Sequence, residues 1–325
     1  MNKAEILKAF RELRVLVVGD VCLDRWCRYD PKLADPSRET GIPRIAVVST
    51  EVTPGAAGTV ASNVASLGAH VSVMGAIGTD GFAFELRGAL ERRGIGHDLL
   101  IHSDAMATFT YTKLLRADNG VEDLPRVDFV NTAPLPAELD NQLVRRLENA
   151  ARGFDVIVVS DQAETSQGGV VSGAMRHAIE RIAAAERDKV VWVDSRMRPE
   201  LFRRVVVKPN HDEADAASLR ALGRLDYPAL RTHMEAPLLI VTHGGEGAEL
   251  IDAHGSTWVA TRREENPVDV CGAGDSFSAG AALALKVTGD AHQAVRFGNL
   301  VASITIMKKG TGTASPEEVL AYSPA

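Results

Sequence analysis

Asn266-Pro267-Val268-Asp269-Val270-Cys271-Gly272-Ala273-Gly274-Asp275-Ser276-Phe277-Ser278-Ala279-Gly280, near the C-terminal end, is the stretch around which the rest of the chain is organised. The turn Gly272-Ala273-Gly274 runs into a small-residue helical stretch from Ser276 to Val287, so several backbone N–H groups should converge at one helix N-terminus. Such an end attracts anions, because its unpaired N–H groups and the helix dipole act together. A carboxylate placed there needs a reason. Asp275 can cap the helix, or it can act on a molecule lying beside the bound anion. The first reading is a plain capped turn; the second makes Asp275 the base of a phosphoryl transfer. G-x-G-D alone does not decide between them.

The 325 residues suit one α/β domain, 1–325, with a modest appended element. Hydrophobic residues at 45% and charged residues at 24% are the proportions of a water-soluble globular chain. A formal net charge of -7 argues against a nucleic-acid surface, which needs clustered Lys and Arg, so small molecules are the expected partners. The first ten residues mix acids and bases among apolar side chains, unlike a secretory leader, and no uninterrupted apolar run reaches bilayer length. A cytoplasmic location with no membrane partner is expected. Cys22, Cys27 and Cys271 cannot all pair and lack C-x-x-C spacing, so they read as reduced thiols. Cys271 is either a reactive thiol at the anion site or an inert small hydrophobe.

Taken in order, Arg14-Val15-Leu16-Val17-Val18-Gly19-Asp20 is a buried parallel strand, with Asp24 just beyond its carboxyl end. Ligands gather at such ends, so Asp24 is a candidate for hydrogen-bonding a polyol; the alternative is a helix cap or a surface ion pair. Residues 28–50 are polar and proline-punctuated before a strand-like Arg44–Thr50, and Ala107–Val130 is a second strand-rich excursion. These two insertions, about 28–50 and 107–130, are expected to join as a small β-sheet lid. Thr53–Ala69 reads as a small-residue turn entering a helix. From Val71 onward strands and helices alternate, which means a mostly parallel sheet with helices on both faces. There is no Walker P-loop and no dinucleotide fingerprint.

Five segments, in this order, resemble the ribokinase-like (PfkB) carbohydrate kinase family: Val17–Arg25, Pro54–Ala69, Val207–Glu213, Val241–Gly247 and Val268–Gly280. The last matches the family's D-x-x-G-A-G-D signature. Within the family, Gly19-Asp20-Val21-Cys22-Leu23-Asp24-Arg25 looks most like the D-glycero-D-manno-heptose 7-phosphate kinases. The resemblance implies a ribokinase-like three-layer sandwich with a lid, and an ATP-dependent kinase of a sugar or sugar phosphate. It implies that Asp275 is the general base and that the amides of Gly272, Ala273 and Gly274 hold the transferring phosphoryl group, whose loose transition state needs positioning and charge neutralisation more than a strong base. Asn210 and Glu213 match the N-x-x-E motif that organises Mg²⁺ through its water shell; the alternative for Glu213 is a first-turn helix acid. Asp24 would bind sugar hydroxyls, Thr242, Gly244 and Gly247 would line the nucleotide side, and Asn299 would sit near the adenine. Asp269 and the loop Gly310–Gly312 match where many relatives hold a monovalent cation, for which potassium is the candidate.

The departures bear on the acceptor. The family's glycine pair and downstream Asn read here as Gly55-Ala56-Ala57-Gly58-Thr59, with Ala56 and Thr59 replacing a Gly and an Asn. Asp161 is followed by Gln162-Ala163-Glu164, and Asp194 by Ser195-Arg196-Met197-Arg198, where the heptose kinases show other residues. Gly55, Ala56, Thr59, Asp161 and Arg196 are therefore the substrate-binding candidates. Arg196 and Arg198 either bind a substrate phosphate or are surface charges. A kinase of another sugar, sugar acid or nucleoside is the alternative, as is a sugar- or nucleotide-binding regulator without turnover. A homodimer formed through the lid is expected.

Overall fold

Val15, Leu16, Val17 and Val18 are fully buried and alternate between two hydrophobic layers, Val15 and Val17 in one and Leu16 and Val18 in the other. A strand covered on both faces carries apolar side chains at every position, each worth about 1.5–3 kcal/mol when buried. The computed structural model, which describes residues 1–165 and 167–322, builds both layers around this strand. After α1 (Lys3–Phe10) come β1 (Arg14–Gly19), β2 (Val21–Tyr29), β3 (Val47–Ala56), α2 (Ala57–Ser66), β4 (His70–Ile77), α3 (Gly81–Glu91), β5 (Gly96–His102), β6 (Thr110–Arg116) and β7 (Val127–Phe129). Then follow α4 (Ala137–Ala150), β8 (Val156–Asp161), α5 (Gly173–Ala185), β9 (Val190–Ser195), β10 (Val206–Val207), α6 (His211–Leu222) and α7 (Tyr227–His233). The chain closes with β11 (Leu239–Thr242), β12 (Gly247–Ile251), β13 (Ser256–Ala260), α8 (Ala273–Thr288), α9 (Ala291–Thr305) and α10 (Pro316–Ala321).

The large sheet has the order β13-β12-β11-β10-β9-β8-β1-β4-β5. It is parallel from β11 to β5, and β12 and β13 are antiparallel. Helices α1, α2, α3, α8 and α9 fill the layer on one face, and α4, α5, α6 and α7 the layer on the other. This is the layered architecture expected from the strand–helix alternation.

The small sheet has the order β3-β2-β6-β7, in which β2 runs antiparallel to β3 and parallel to β6. Its first excursion is wider than the 28–50 expected, because the chain enters it at Val21 and leaves it at Ala56. Two local readings change with it. The strand expected over Arg44–Thr50 begins at Val47 and continues to Ala56, so Thr53 to Ala56 is strand rather than turn; Asp24 lies within β2, paired opposite Thr53, rather than in a loop after β1. Apolar side chains on the edge strands of this sheet are exposed, among them Val48 at 52% and Phe129 at 40%.

The junction between the two sheets is tightly built. A Cβ on Gly19 would lie 2.0 Å from the Ser160 carbonyl oxygen, so only glycine lets β1 turn off beside β8. The next residue, Asp20, is 1% exposed. Its carboxylate accepts N–H bonds from Gln162 (2.9 Å), Ala163 (2.8 Å) and Val170 (2.8 Å), and its carbonyl accepts one from Ala57 (3.0 Å). Burial, with Asp161 next, raises its pKa to about 6 against those three bonds. One residue thus ties the lid root, the start of α2 and the loop after β8. Among the described residues no helix is long and apolar enough to cross a membrane.

Candidate active site

Gly272 makes the turn into α8. Its backbone is left-handed (φ +78°), and a Cβ there would press at 3.3 Å on Thr59 and Thr311. The Ala273 N–H returns to the Val270 carbonyl at 3.2 Å. Of the three amides expected to cradle a phosphoryl group, that of Ala273 is therefore engaged in the turn, while among the described residues the N–H groups of Gly272 and Gly274 donate to no backbone carbonyl.

The first turn of α8 separates two cavities. Gly272 and Asp275 line one of about 150 Å³, together with Asp24, Ala56, Thr59 and Arg196. Ala273 and Gly274 line the other, of about 170 Å³, together with Thr242, Gly244, Gly247 and Asn299. The sequence candidates for the two substrates thus sort onto two sides of one helix end. Asp275 faces the first side. Burial, and then the Asp194 charge, raise its pKa to about 7, with Lys208 and Arg196 acting in the opposite direction. A carboxyl with that affinity for protons can take one from a hydroxyl near neutral pH.

On the acceptor side, Asp24 projects over Gly55, where a Cβ would stand 2.6 Å from its Oδ1. Burial raises the Asp24 pKa to about 6, with Lys113 and then Arg126 opposing. Ala56 is the residue in front of α2 and holds φ 50°, ψ -116°, a conformation that favours glycine. The family's Gly at this position therefore has a backbone reason, and Ala56 keeps the same turn at a cost in strain. Thr59 is 2% exposed and its hydroxyl donates to the Pro54 carbonyl at 3.3 Å.

Asp161 does not reach this cavity. It is 0% exposed, accepts from Ser195 Oγ at 2.7 Å and pairs with Arg198 through Nε and Nη2, each at 3.0 Å. Its place at a strand end suggested a ligand contact, but the strand buries it and Arg198 satisfies it. Arg198 is therefore neither a surface charge nor in the cavity, whereas Arg196 lines the cavity and pairs with Glu164.

On the nucleotide side, Gly247 has φ +122° and a Cβ there would meet the Val259 carbonyl oxygen at 2.3 Å, so glycine lets β12 and β13 pair closely. Asn299 is 8% exposed and its Nδ2 has no hydrogen-bond partner among the described residues, leaving a buried donor at the cavity wall. An acceptor on a purine edge would satisfy it. Asn210 and Glu213 form a reciprocal capping box at the start of α6: Glu213 N–H donates to Asn210 Oδ1 at 2.9 Å and Asn210 N–H to Glu213 Oε2 at 2.8 Å. The helix-acid reading of Glu213 is thus realised, and its other carboxylate oxygen remains. Burial and Asp194 raise its pKa. Asp194, Glu213 and Asp275 together carry more negative charge than Lys208 offsets, which suits a divalent cation held through water. Among the described residues no three His, Cys, Asp or Glu side chains form a metal cluster. Asp269 accepts N–H bonds from Cys271 (2.9 Å) and Gly310 (3.1 Å), joining the two loops expected around potassium.

Lys208 is a residue the sequence reading passed over. It is 3% exposed, its Nζ lies 2.7 Å from Asp194 Oδ2, and a Cβ on Gly274 would come within 3.2 Å of that nitrogen. Burial alone would push the ammonium down; Asp194, then Glu213, outweigh it and hold the pKa up. Ser278 Oγ adds a bond to Asp194 at 3.1 Å. Lys113, Arg126 and Tyr111 of the lid also line the acceptor cavity. The signals were a Lys directly before Pro209-Asn210 and an alternating strand, but their convergence depends on sheet order.

A family model described as pfkB family carbohydrate kinase matches residues 13–318. The chain is 31% identical over 320 residues to the bifunctional protein HldE of Hydrogenovibrio crunogenus, covering 95% of this chain and 62% of that protein, so it spans less than two thirds of that relative. Its structure is similar to Arabidopsis thaliana ribokinase complexed with ribose and ATP, with a TM-score of 0.69 at 18% identity over 96% of this chain and 99% of that one. It is also similar to Escherichia coli phosphofructokinase-2 in complex with potassium, with a TM-score of 0.70 at 18% identity over 95% and 97%.

Proposed function

From the premise that the chain belongs to the pfkB family of carbohydrate kinases, and is a sugar kinase, we propose that it transfers the γ-phosphoryl group of ATP to a hydroxyl of a sugar or sugar phosphate. One observation carries this reading: the first turn of α8 places Asp275 at one cavity and Gly274, whose N–H donates to no backbone carbonyl, at the other. The two cavities meet the same helix end, so a hydroxyl beside Asp275 and a phosphate reaching past Gly274 can come together in front of the first turn of α8, as in-line transfer requires. Asp275 takes the proton of the attacking hydroxyl. The α8 amides and the Lys208 ammonium bear on the negative charge that develops on the phosphoryl oxygens. Asn210 and Glu213 would hold Mg²⁺ through its water shell, and the ion would supply charge neutralisation at the phosphates. Asn299 receives the adenine side, and Asp24 orients the acceptor by its hydroxyls. Asp269 would bring potassium to the loop pair it joins.

Heptose 7-phosphate is the leading acceptor, on the strength of the Gly19–Arg25 resemblance; another sugar or sugar acid is favoured by Ala56 and Thr59. A homodimer through the lid is supported by the exposed Val48 and Phe129 on its edge strands. The reading is tested by ADP release with Mg-ATP over sugars, sugar phosphates, sugar acids and nucleosides, with and without potassium. Turnover of a sugar or sugar phosphate that drops about 10²–10⁴-fold in Asp275→Asn, with ATP binding kept, is expected. Selective turnover of a nucleoside, or full activity of Asp275→Asn, would reject it.

A further inference from the structure

The acceptor cavity of this acidic chain is lined by four cations from separate elements: Arg25 on β2, which pairs with Glu85 at 3.0 Å, Lys113 on β6, Arg126 just before β7 and Arg196 just after β9. Hydroxyls of a neutral sugar need hydrogen-bond partners, which Asp24 and Asp275 supply, and give no use for a cationic wall. Three of the four are aimed by aromatic faces, Arg25 by Phe82 at 5.1 Å from its ring centroid. The Arg126 guanidinium lies over the Tyr111 ring, 4.9 Å from its centroid, and the Lys113 ammonium lies 4.9 Å from the centroid of Trp26. Their acidic partners stand beside them, Asp128 at 2.7 Å from Arg126 and Glu122 at 3.5 Å from Lys113.

Glu164 is the carboxylate on the cavity wall that pairs with Arg196, and its charge also reaches Arg126. The pair is half open to solvent, with side-chain exposures of 49% and 55%, so it adds little to stability. Its position matters more than its strength, because it puts an anion where two guanidinium groups converge on the space beside the sugar. A phosphate or carboxylate on a substrate offers arginine the same charge-assisted, two-pronged contact.

We propose, resting on the sugar-kinase reading above, that Arg126, Arg196 and Lys113 form a subsite for an anionic substituent of the acceptor, and that Glu164 occupies this subsite until the substrate displaces it. The acceptor is then a sugar phosphate or a sugar acid, with its anionic group on a carbon away from the hydroxyl that is phosphorylated. Binding the anion breaks the Glu164–Arg196 pair and draws β6 and β7 of the lid toward the loop after β9. Glu164 thereby selects against neutral sugars, which cannot compete for the arginines.

The test compares kcat/KM for paired acceptors under Mg-ATP: ribose with ribose 5-phosphate, mannose with mannose 6-phosphate and with mannonate, and a heptose with its 7-phosphate. In wild type the anionic member of a pair is expected to be preferred; a preference for the phosphates over mannonate assigns the group as phosphate, and the reverse as carboxylate. Arg126→Gln and Arg196→Gln should each reduce the anionic-to-neutral ratio by about 10–100-fold, and Glu164→Gln should raise it by lowering KM for the anion. Neutral sugars turned over as well as their anionic partners, with ratios unmoved in all three variants, would overturn the subsite while leaving the kinase reading intact. If no acceptor releases ADP, the kinase reading fails on its own; calorimetry with inorganic phosphate then decides the subsite, which requires binding that Glu164→Gln tightens and Arg126→Gln abolishes. Melting curves of the three variants confirm that they are folded.

Discussion

A base whose pKa lies near 7 leaves a mark on the pH profile that an ordinary carboxylate does not. Asp275 is raised to about 7 by burial and by Asp194, so on lowering the pH from 7 the active, ionised form should fall about tenfold per unit. An unperturbed aspartate would stay ionised over the same range, since its pKa is about 3.9. The measurement is kcat/KM between pH 5 and 9 by coupled ADP release, which reports the free enzyme. Asp24, raised to about 6, should steepen the acid limb, and the two apparent values belong to the coupled site. Lys208 supplies the control, because its charge lowers the Asp275 pKa. Lys208→Met should move the limb toward alkaline pH by about one unit or more, whereas Lys208→Arg should leave it near 7. An activity that is flat from pH 5 to 7, or a limb that Lys208→Met leaves in place in a folded protein, would refute the assignment of Asp275 as the base.

Replacing Ala56 by Gly should stabilise the protein by roughly 1 kcal/mol, the relief at φ 50° exceeding the added freedom of the unfolded chain; chemical denaturation would show it. Asp275→Asn should melt higher than wild type at pH 8, by a smaller margin at pH 5, and about equally only below about pH 3.8. The sign follows from linkage: a folded pKa above the unfolded one means stability that is full below the unfolded value of 3.8 and lost progressively as pH rises from there through about 7, and Asn does not lose it. Asp161→Asn should unfold the protein more easily by about 3–5 kcal/mol, because it leaves Arg198 largely buried without its carboxylate. The acceptor KM of the folded fraction should be unchanged, and a selective rise in KM would return Asp161 to the acceptor site.

The strand–helix alternation and the end of the Gly272–Asp275 turn were readable because each follows from a local pattern, one from apolar runs and the other from turn chemistry. Asp24 and Asn210 were singled out by their place in ordered motifs, and Asn299 by its place in a helix near the C-terminal end; Asp24 and Asn299 lie at cavity walls. What was not readable depends on sheet order. Asp161 and Asp194 look alike, each a carboxylate near the end of a buried strand, but Arg198 closes over one and Lys208 over the other. The lid boundary was misplaced because Val21-Cys22-Leu23 continues the apolar run of β1, and only the positive φ of Gly19 reveals that the chain has changed sheets.

Asp20 has a consequence for how such kinases can be recombined. Its carboxylate holds the loop that carries Gln162 and Glu164, and its carbonyl holds the first residue of α2, so the lid's root is shared property of three segments distant in sequence. A lid transplanted from a relative between Val21 and Ala56 would arrive without the partners that set its angle. Specificity would transfer only when residues 20, 56–59 and 162–170 move as one set, which makes that set, rather than the visible sheet, the exchangeable module of this fold.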